Sequence, residues 1–270
     1  MQYTRIMIAN PTLAQKLAGD LDRPFGHVAR IGYAAVAYVA EVMPAAFYRM
    51  APAGVSLALL TIQREGGADG NVAELDRIFD DVVAAGRSLA RAGVDVVVLG
   101  GRPVILRRGL AGAEALMAEL SREFGVPVLS DATAQARAYR ALGSRRIATA
   151  HPFLNEENAR HEQQIRDLGF EPAGAMGYGS TRVALSSLAP RTALDLARRL
   201  LAAHPEADTL LFPCPHWHVV DAIQAIEDEF GVYVVSNFQA MLWDALATLG
   251  IRNPIEGFGR LLREFPGPPA

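Results

Sequence analysis

Cysteine is almost missing. Cys214 is the only one in 270 residues, which rules out an intrachain disulfide and any multi-cysteine zinc site. Lysine is as scarce: Lys16 stands alone, and arginine carries the positive charge, a bias that reads as genomic base composition rather than phosphate binding. Neither sign of charge prevails. With 26 basic against 29 acidic residues, the net charge is −3 and the pI about 6.1, so nothing draws the chain to nucleic acid or to an anionic membrane. Long apolar runs are absent too. No stretch approaches the ~18 consecutive apolar residues of a membrane span. Met1 to Pro11 lack the apolar core of a signal peptide, and a reducing, cytoplasmic setting is expected. No glycine-rich phosphate loop leads into a helix, so no nucleotide is indicated, and no cofactor is expected.

What is present is a well-stocked core, at 51% hydrophobic and 20% charged residues. It is organised around the one thiol. Thr209 to Phe212 is an apolar run, Pro213-Cys214-Pro215-His216-Trp217-His218 a tight turn, and Val219 to Phe230 an amphipathic run. This order of strand, turn and helix puts Cys214 at the carboxyl end of a strand, where open α/β sheets bind ligands. Val94 to Leu99, followed by Gly100-Gly101-Arg102-Pro103, has the same shape. Each unit then closes on a near-identical phrase, Glu123-Phe124-Gly125-Val126-Pro127-Val128-Leu129-Ser130 and Glu229-Phe230-Gly231-Val232-Tyr233-Val234-Val235-Ser236. With Asp95 laid on Asp208, Cys214 falls on Gly101.

Taken in order, residues 1–29 form an arm outside the repeat, with a short strand at Arg5–Ala9 and a helix at Leu13–Leu21, packed on the body or on a partner subunit. A homo-oligomer is left open. Arg30 to Ala35 and Arg146 to His151 are equivalent opening strands. Gly54–Ile62 is a buried strand, Gln63–Gly70 a polar loop at a pocket mouth, and Asn71 a helix cap. Alternating strands and helices predict an α/β fold. It has two pseudo-symmetric lobes, each a short parallel sheet flanked by helices, around an active-site cleft. The first lobe is assigned 30–144 plus the returning tail 251–270, the second 145–250.

The doubled layout, Val98-Leu99-Gly100-Gly101 with Arg108-Gly109 beyond, Ile147-Ala148-Thr149-Ala150, the cysteine turn with Asp221-Ala222-Ile223 after it, and Val234-Val235-Ser236 followed by Trp243-Asp244-Ala245 carry a likeness over residues 30–262. On these marks the chain resembles the aspartate/glutamate racemase superfamily, in the branch of arylmalonate decarboxylases and maleate isomerases. The resemblance implies a cysteine at both turns in racemases and isomerases, and glycine at the first turn in the decarboxylases. Gly101 with Cys214 therefore matches the decarboxylase pattern. The chain departs from that pattern in three places. Arg102-Pro103 replace Thr-Ser after the glycine, Pro215-His216 replace Gly-Gly after the cysteine, and His151 replaces a tyrosine. Pro103 and Pro215 have no N–H, so two backbone donors of an oxyanion hole are missing.

The resemblance, the strand-end positions and the side-chain chemistry together give the candidates their roles. Cys214 is the proton donor, since an ordinary thiol, with a pKa of about 8.5, is protonated at neutral pH. His151 and His216 are acid–base or carboxylate-polarising groups at strand ends. Arg102 either grips a carboxylate bidentately or points to solvent. Gly100, Gly101, Pro103 and Pro215 line the cleft. Tyr33, Val36, Ala37 and Tyr38 stand on the first turn and shape an apolar pocket that favours expulsion of neutral carbon dioxide. His218 is turned away by alternation, Trp217 packs in the core or a lid, and no metal is expected. Three functions follow: a cofactor-independent decarboxylase of a small malonate-like acid, a racemase or cis-trans isomerase of a small carboxylic acid, or a carboxylate-binding relative without catalysis.

Overall fold

The computed structural model describes residues 23–37, 40–63 and 72–265. The first lobe runs β1 (Ala29–Ala37), α1 (Val42–Met50), β2 (Val55–Gln63), α2 (Val72–Arg91), β3 (Val96–Leu99), α3 (Arg102–Ile105), a 3₁₀ turn Leu106–Arg108, α4 (Gly109–Phe124), β4 (Val128–Ser130) and α5 (Asp131–Leu142). The second runs β5 (Arg146–His151), a 3₁₀ turn Asn155–Glu157, α6 (Asn158–Asp167), β6 (Glu171–Gly177), a 3₁₀ turn Arg182–Ser187, α7 (Pro190–Ala203), β7 (Thr209–Phe212), a 3₁₀ turn Val220–Ala222, α8 (Ile223–Phe230), β8 (Tyr233–Ser236), α9 (Asn237–Thr248) and α10 (Arg260–Arg263). Each lobe holds a four-stranded, wholly parallel sheet, ordered β2-β1-β3-β4 and β6-β5-β7-β8. The expected two-lobed α/β fold is what forms. Val96-Val97-Val98-Leu99 and Thr209-Leu210-Leu211-Phe212 are buried throughout, as inner parallel strands covered on both faces must be.

The repeated residues do the same work twice. Arg30 N donates to Asp95 Oδ2 at 2.7 Å and Asp95 N to Arg30 O at 2.8 Å; Arg146 and Asp208 make the same exchange at 3.0 Å in both directions. Glu123 pairs with Arg87 and Glu229 with Arg198, joining α2 to α4 in the first lobe and α7 to α8 in the second. Gly125 and Gly231 end α4 and α8 with φ of 73° and 69°, the left-handed turn that closes a helix with least strain when the residue is glycine. Ser130 and Ser236 then cap α5 and α9, each in a reciprocal box with the third residue of its helix. The phrase is thus helix lock, helix stop, strand and helix start.

The lobes meet where α5 packs on α9. Arg137 on α5 clasps Asp244 on α9, Nη1 lying 3.1 Å from Oδ1 and 3.0 Å from Oδ2. Both helices start at the sheet ends, so the contact draws the carboxyl ends of the two sheets toward one cavity.

Two expectations are corrected. The tail docks on the second lobe rather than returning to the first. Glu227 accepts from Arg260 N at 2.8 Å, Gln239 Nε2 donates to Phe258 O at 2.6 Å, and the Arg260 guanidinium covers the Tyr233 ring at 4.0 Å, so the tail is held by α8, β8 and α9. β1 also outlasts its expected end. It pairs with β2 up to Ala37↔Gln63, because Ala35-Val36-Ala37 continue a small and β-branched run that suits an inner strand. Tyr33 and Val36 are accordingly strand residues, not turn residues. The arm's strand and helix, the loop from residue 64 to 70, the Asn71 cap and Tyr38 lie outside the described residues. Among the described residues no helix is long and apolar enough to cross a membrane.

Candidate active site

Gly101 and Cys214 end the turns after β3 and β7 and line one cavity of ≈ 130 Å³. Their equivalence is visible in the register, since Leu99 pairs with Ser130 as Phe212 pairs with Ser236. Gly101 has φ 101° and ψ 56°, a conformation that glycine adopts with least cost. This bend lets its carbonyl accept from Val104 N at 2.8 Å and start α3. Pro103 follows in the first turn of α3, where its missing N–H has no helical partner to lose. Cys214 is buried to 7% exposure, and its Sγ lies 3.6 Å from His216 Nδ1. Burial pulls His216 down to about 4, against the opposing pull of Glu41, so at neutral pH the imidazole is uncharged.

Arg102 does not point to solvent. It is buried and lines the cavity. Nη1 donates to Gln135 Oε1 at 2.9 Å, and Nη2 donates to Gln164 Oε1 and faces His161 Nδ1 at 3.3 Å. Burial lowers its pKa, yet a guanidinium keeps its proton at physiological pH. Its three partners are neutral. His161 is held far below the usual imidazole range, first by burial and then by the charges around it. Because arginine only donates, His161 Nδ1 accepts, which puts the ring proton on Nε2.

The other candidates divide. Val36, Pro103, Pro215 and His216 line the cavity. Gly100 does not; a β-carbon there would stand 2.9 Å from the Tyr33 hydroxyl, so this glycine makes room for the phenol. Ala37 is buried in the sheet away from the cavity. His151, fully buried at the end of β5, is also absent from the lining. Its Nε2 lies 2.7 Å from Asn158 Oδ1, its ring stacks on His161 at 4.2 Å, and burial lowers its pKa. It backs His161 rather than facing the cleft. His218 turns out toward Asp221, and Trp217 donates to Thr192 Oγ1 at 3.1 Å within the core.

The cavity also holds polar groups that the sequence analysis did not single out: Asp131, Asn237, Arg160, His161 and Gln164. Asp131 Oδ2 accepts from Gly101 N at 3.2 Å and from Asn237 Nδ2 at 3.3 Å. Burial raises its pKa, against the pull of Asn237, the Arg102 charge and the N–H groups of Gly101 and Ala132. Tyr33 beside it is pushed well above the usual phenol value, by burial first and then by Asp131 and Cys214. A signal for these residues existed. Asp131 and Asn237 are the residues after the paired serines of the repeat. His161 and Gln164 share the buried stripe of α6 with Ile165, where apolar side chains belong in an ordinary amphipathic helix.

Comparison with known proteins agrees with this architecture. The family described as arylmalonate decarboxylase matches residues 47–262. Arylmalonate decarboxylase of Bordetella bronchiseptica is 33% identical over 191 residues, covering 70% of this chain and 80% of that protein. Maleate isomerase of Geobacillus stearothermophilus is 24% identical over 153 residues, 56% of this chain and 61% of its own length. Unliganded arylmalonate decarboxylase superposes with a TM-score of 0.75 at 30% identity, over 87% of this chain and 99% of that one.

Proposed function

The chain belongs to the arylmalonate decarboxylase family, and from that premise we propose that it is a cofactor-independent decarboxylase of a small malonate-like acid. The observation that carries this reading is the pairing of one thiol with one glycine, Cys214 and Gly101, at equivalent strand ends on one cavity. Racemisation needs a proton-handling group on each face of the planar intermediate, and decarboxylation with stereocontrol needs it on one.

In this mechanism the bond from the α-carbon to one carboxylate breaks, carbon dioxide leaves, and the electron pair spreads into the retained carboxylate as an enediolate. The Cys214 S–H then gives its proton to the α-carbon, and the thiolate regains one from water. His216, neutral and 3.6 Å from the sulfur, relays that proton through Nδ1. The leaving carboxylate departs against apolar wall from Val36, Ile78, Val104 and Leu185. Such surroundings solvate an anion poorly and neutral carbon dioxide well. At ≈ 130 Å³ the cavity is close to the ~150 Å³ that holds a benzene ring, which suits an aryl or short alkyl substituent.

The retained carboxylate needs a positive counterpart. Arg102 supplies it, a buried cation whose hydrogen-bond partners are all uncharged. Incubation with a panel of aryl- and alkylmalonates, with carbon dioxide release and product chirality as readouts, tests the proposal. Release of carbon dioxide with one product enantiomer in excess is expected, and no turnover across the panel refutes it. Arg102→Met should raise KM and lower kcat/KM by about 10²-fold, the scale of losing one preorganised electrostatic contact.

A further inference from the structure

The backbone of this site is poor in donors. Pro103 and Pro215 have no N–H, and the Gly101 N–H is already given to Asp131. An enediolate carries two oxygens that need donors while charge builds on them. Asp131 stands where such a donor is wanted. It lines the cavity, is 3% exposed, and has one oxygen fixed and one idle. Oδ2 takes the hydrogen bonds from Gly101 and Asn237, while Oδ1 is buried with no hydrogen-bond partner among the described residues.

We propose that Asp131 stands in the substrate-loaded site as a neutral carboxylic acid and donates its Oδ1–H to the retained carboxylate, and then to the enediolate. This rests on the reading of the cavity as a carboxylate-binding active site. Three facts support it. The two partners of Oδ2 are neutral amides, and neither is a cation that would hold the acid ionised. Arg102, the cation whose charge acts on Asp131, hydrogen-bonds Gln135, Gln164 and His161 rather than that carboxylate. An anionic substrate brings a second carboxylate into the same enclosed space, and two carboxyl groups in one site share a proton rather than both ionise. Burial already pushes Asp131 in that direction in the free protein. The titratable groups around it are Tyr33 on β1, Arg102 on α3, Cys214 and His216 on the turn after β7, and Arg160 and His161 on α6. Among them the arginines favour ionisation of Asp131, while an ionised Tyr33 or Cys214 opposes it.

The test uses the full-length protein in the Cys214→Ala background, so that ligand is not consumed, with ¹³C-carboxyl phenylmalonate as the probe. The infrared difference between the complex and the free protein should contain an unlabelled protonated-carboxyl C=O band, absent when Asp131→Asn is added. In the Cys214 protein, Asp131→Asn keeps a donor in place of Oδ1–H. It should retain kcat/KM within about 10-fold, while Asp131→Leu should lose at least 10²-fold. Only ionised-carboxylate bands for Asp131 in the complex, or Asp131→Asn as inactive as Asp131→Leu, would overturn the proposal. The infrared arm needs binding but no turnover. A protonated Asp131 in a complex that never releases carbon dioxide would thus refute the decarboxylase and leave this inference standing.

Discussion

Cys214 Sγ and His216 Nδ1 face each other across 3.6 Å on one turn, two residues apart in the chain. The separation is set by the turn itself, because both side chains are buried and Pro215 between them stiffens the backbone. A thiol with a neutral imidazole beside it can give a proton and have it replaced without a charged group entering the cavity.

Cys214→Ala should abolish turnover of a malonate substrate or slow it by about 10²-fold or more, the scale of losing a general acid. Product formation by chromatography, with circular dichroism as a check on folding, measures this. Full activity with unchanged product configuration would remove the thiol from the mechanism and leave His216 as the better donor.

Gly101→Cys should place a thiol on the opposite face of the intermediate. The position is not free: φ is 101°, and the new β-carbon would stand 3.0 Å from Val36 Cγ2. A stability cost of about 1–3 kcal/mol is expected from the backbone conformation, read as a lower urea midpoint. The variant should still fold and should racemise the product acid. Combined with Cys214→Ala it should yield the mirror-image enantiomer by chiral chromatography. A racemic product from the combined variant would show that the two turns do not address opposite faces.

His216 should make stability fall in acid. Its pKa is 6.5 when unfolded and about 4 when folded, so between those values the unfolded chain binds a proton that the folded one refuses. Stability due to this group is therefore complete above pH 6.5 and declines as pH drops toward about 4, by at most about 3 kcal/mol. His216→Gln should flatten the slope of unfolding free energy over that window, with His151 and His161, shifted in the same direction, leaving a residual slope. An identical slope in the variant would contradict the burial argument.

Arg137→Met should weaken the lobe contact. Asp244 is 5% exposed at its side chain while Arg137 is 33% exposed, so removing the arginine leaves a buried carboxylate that burial already pushes upward. A loss of roughly 1–3 kcal/mol is expected for an unpaired buried charge with partial access to water. Adding Asp244→Asn should recover part of it, since the amide carries no charge to strand. Equal stability of Arg137→Met and the unsubstituted protein in urea unfolding would show the pair to be incidental.

The sequence by itself determined the doubled α/β unit, the two turns and the place of the thiol. Each of these rests on local rules: apolar runs for buried parallel strands, Gly125 and Gly231 for helix ends, Ser130 and Ser236 for helix starts, and a repeat that puts Gly101 on Cys214. Only the tertiary structure decided who shares the cavity. His151 reads as a cleft residue at a strand end, yet it is packed behind His161, because the direction of a side chain at a strand's last residue depends on what packs over it. Arg102 read equally as solvent-facing or inward, and Gln135, Gln164 and His161 from two other helices settled it inward. Asp131 and Asn237 are 106 positions apart and touch only because α5 and α9 pack across the lobe boundary. Those contacts follow from the packing of one lobe on the other through α5 and α9, which no window of sequence contains.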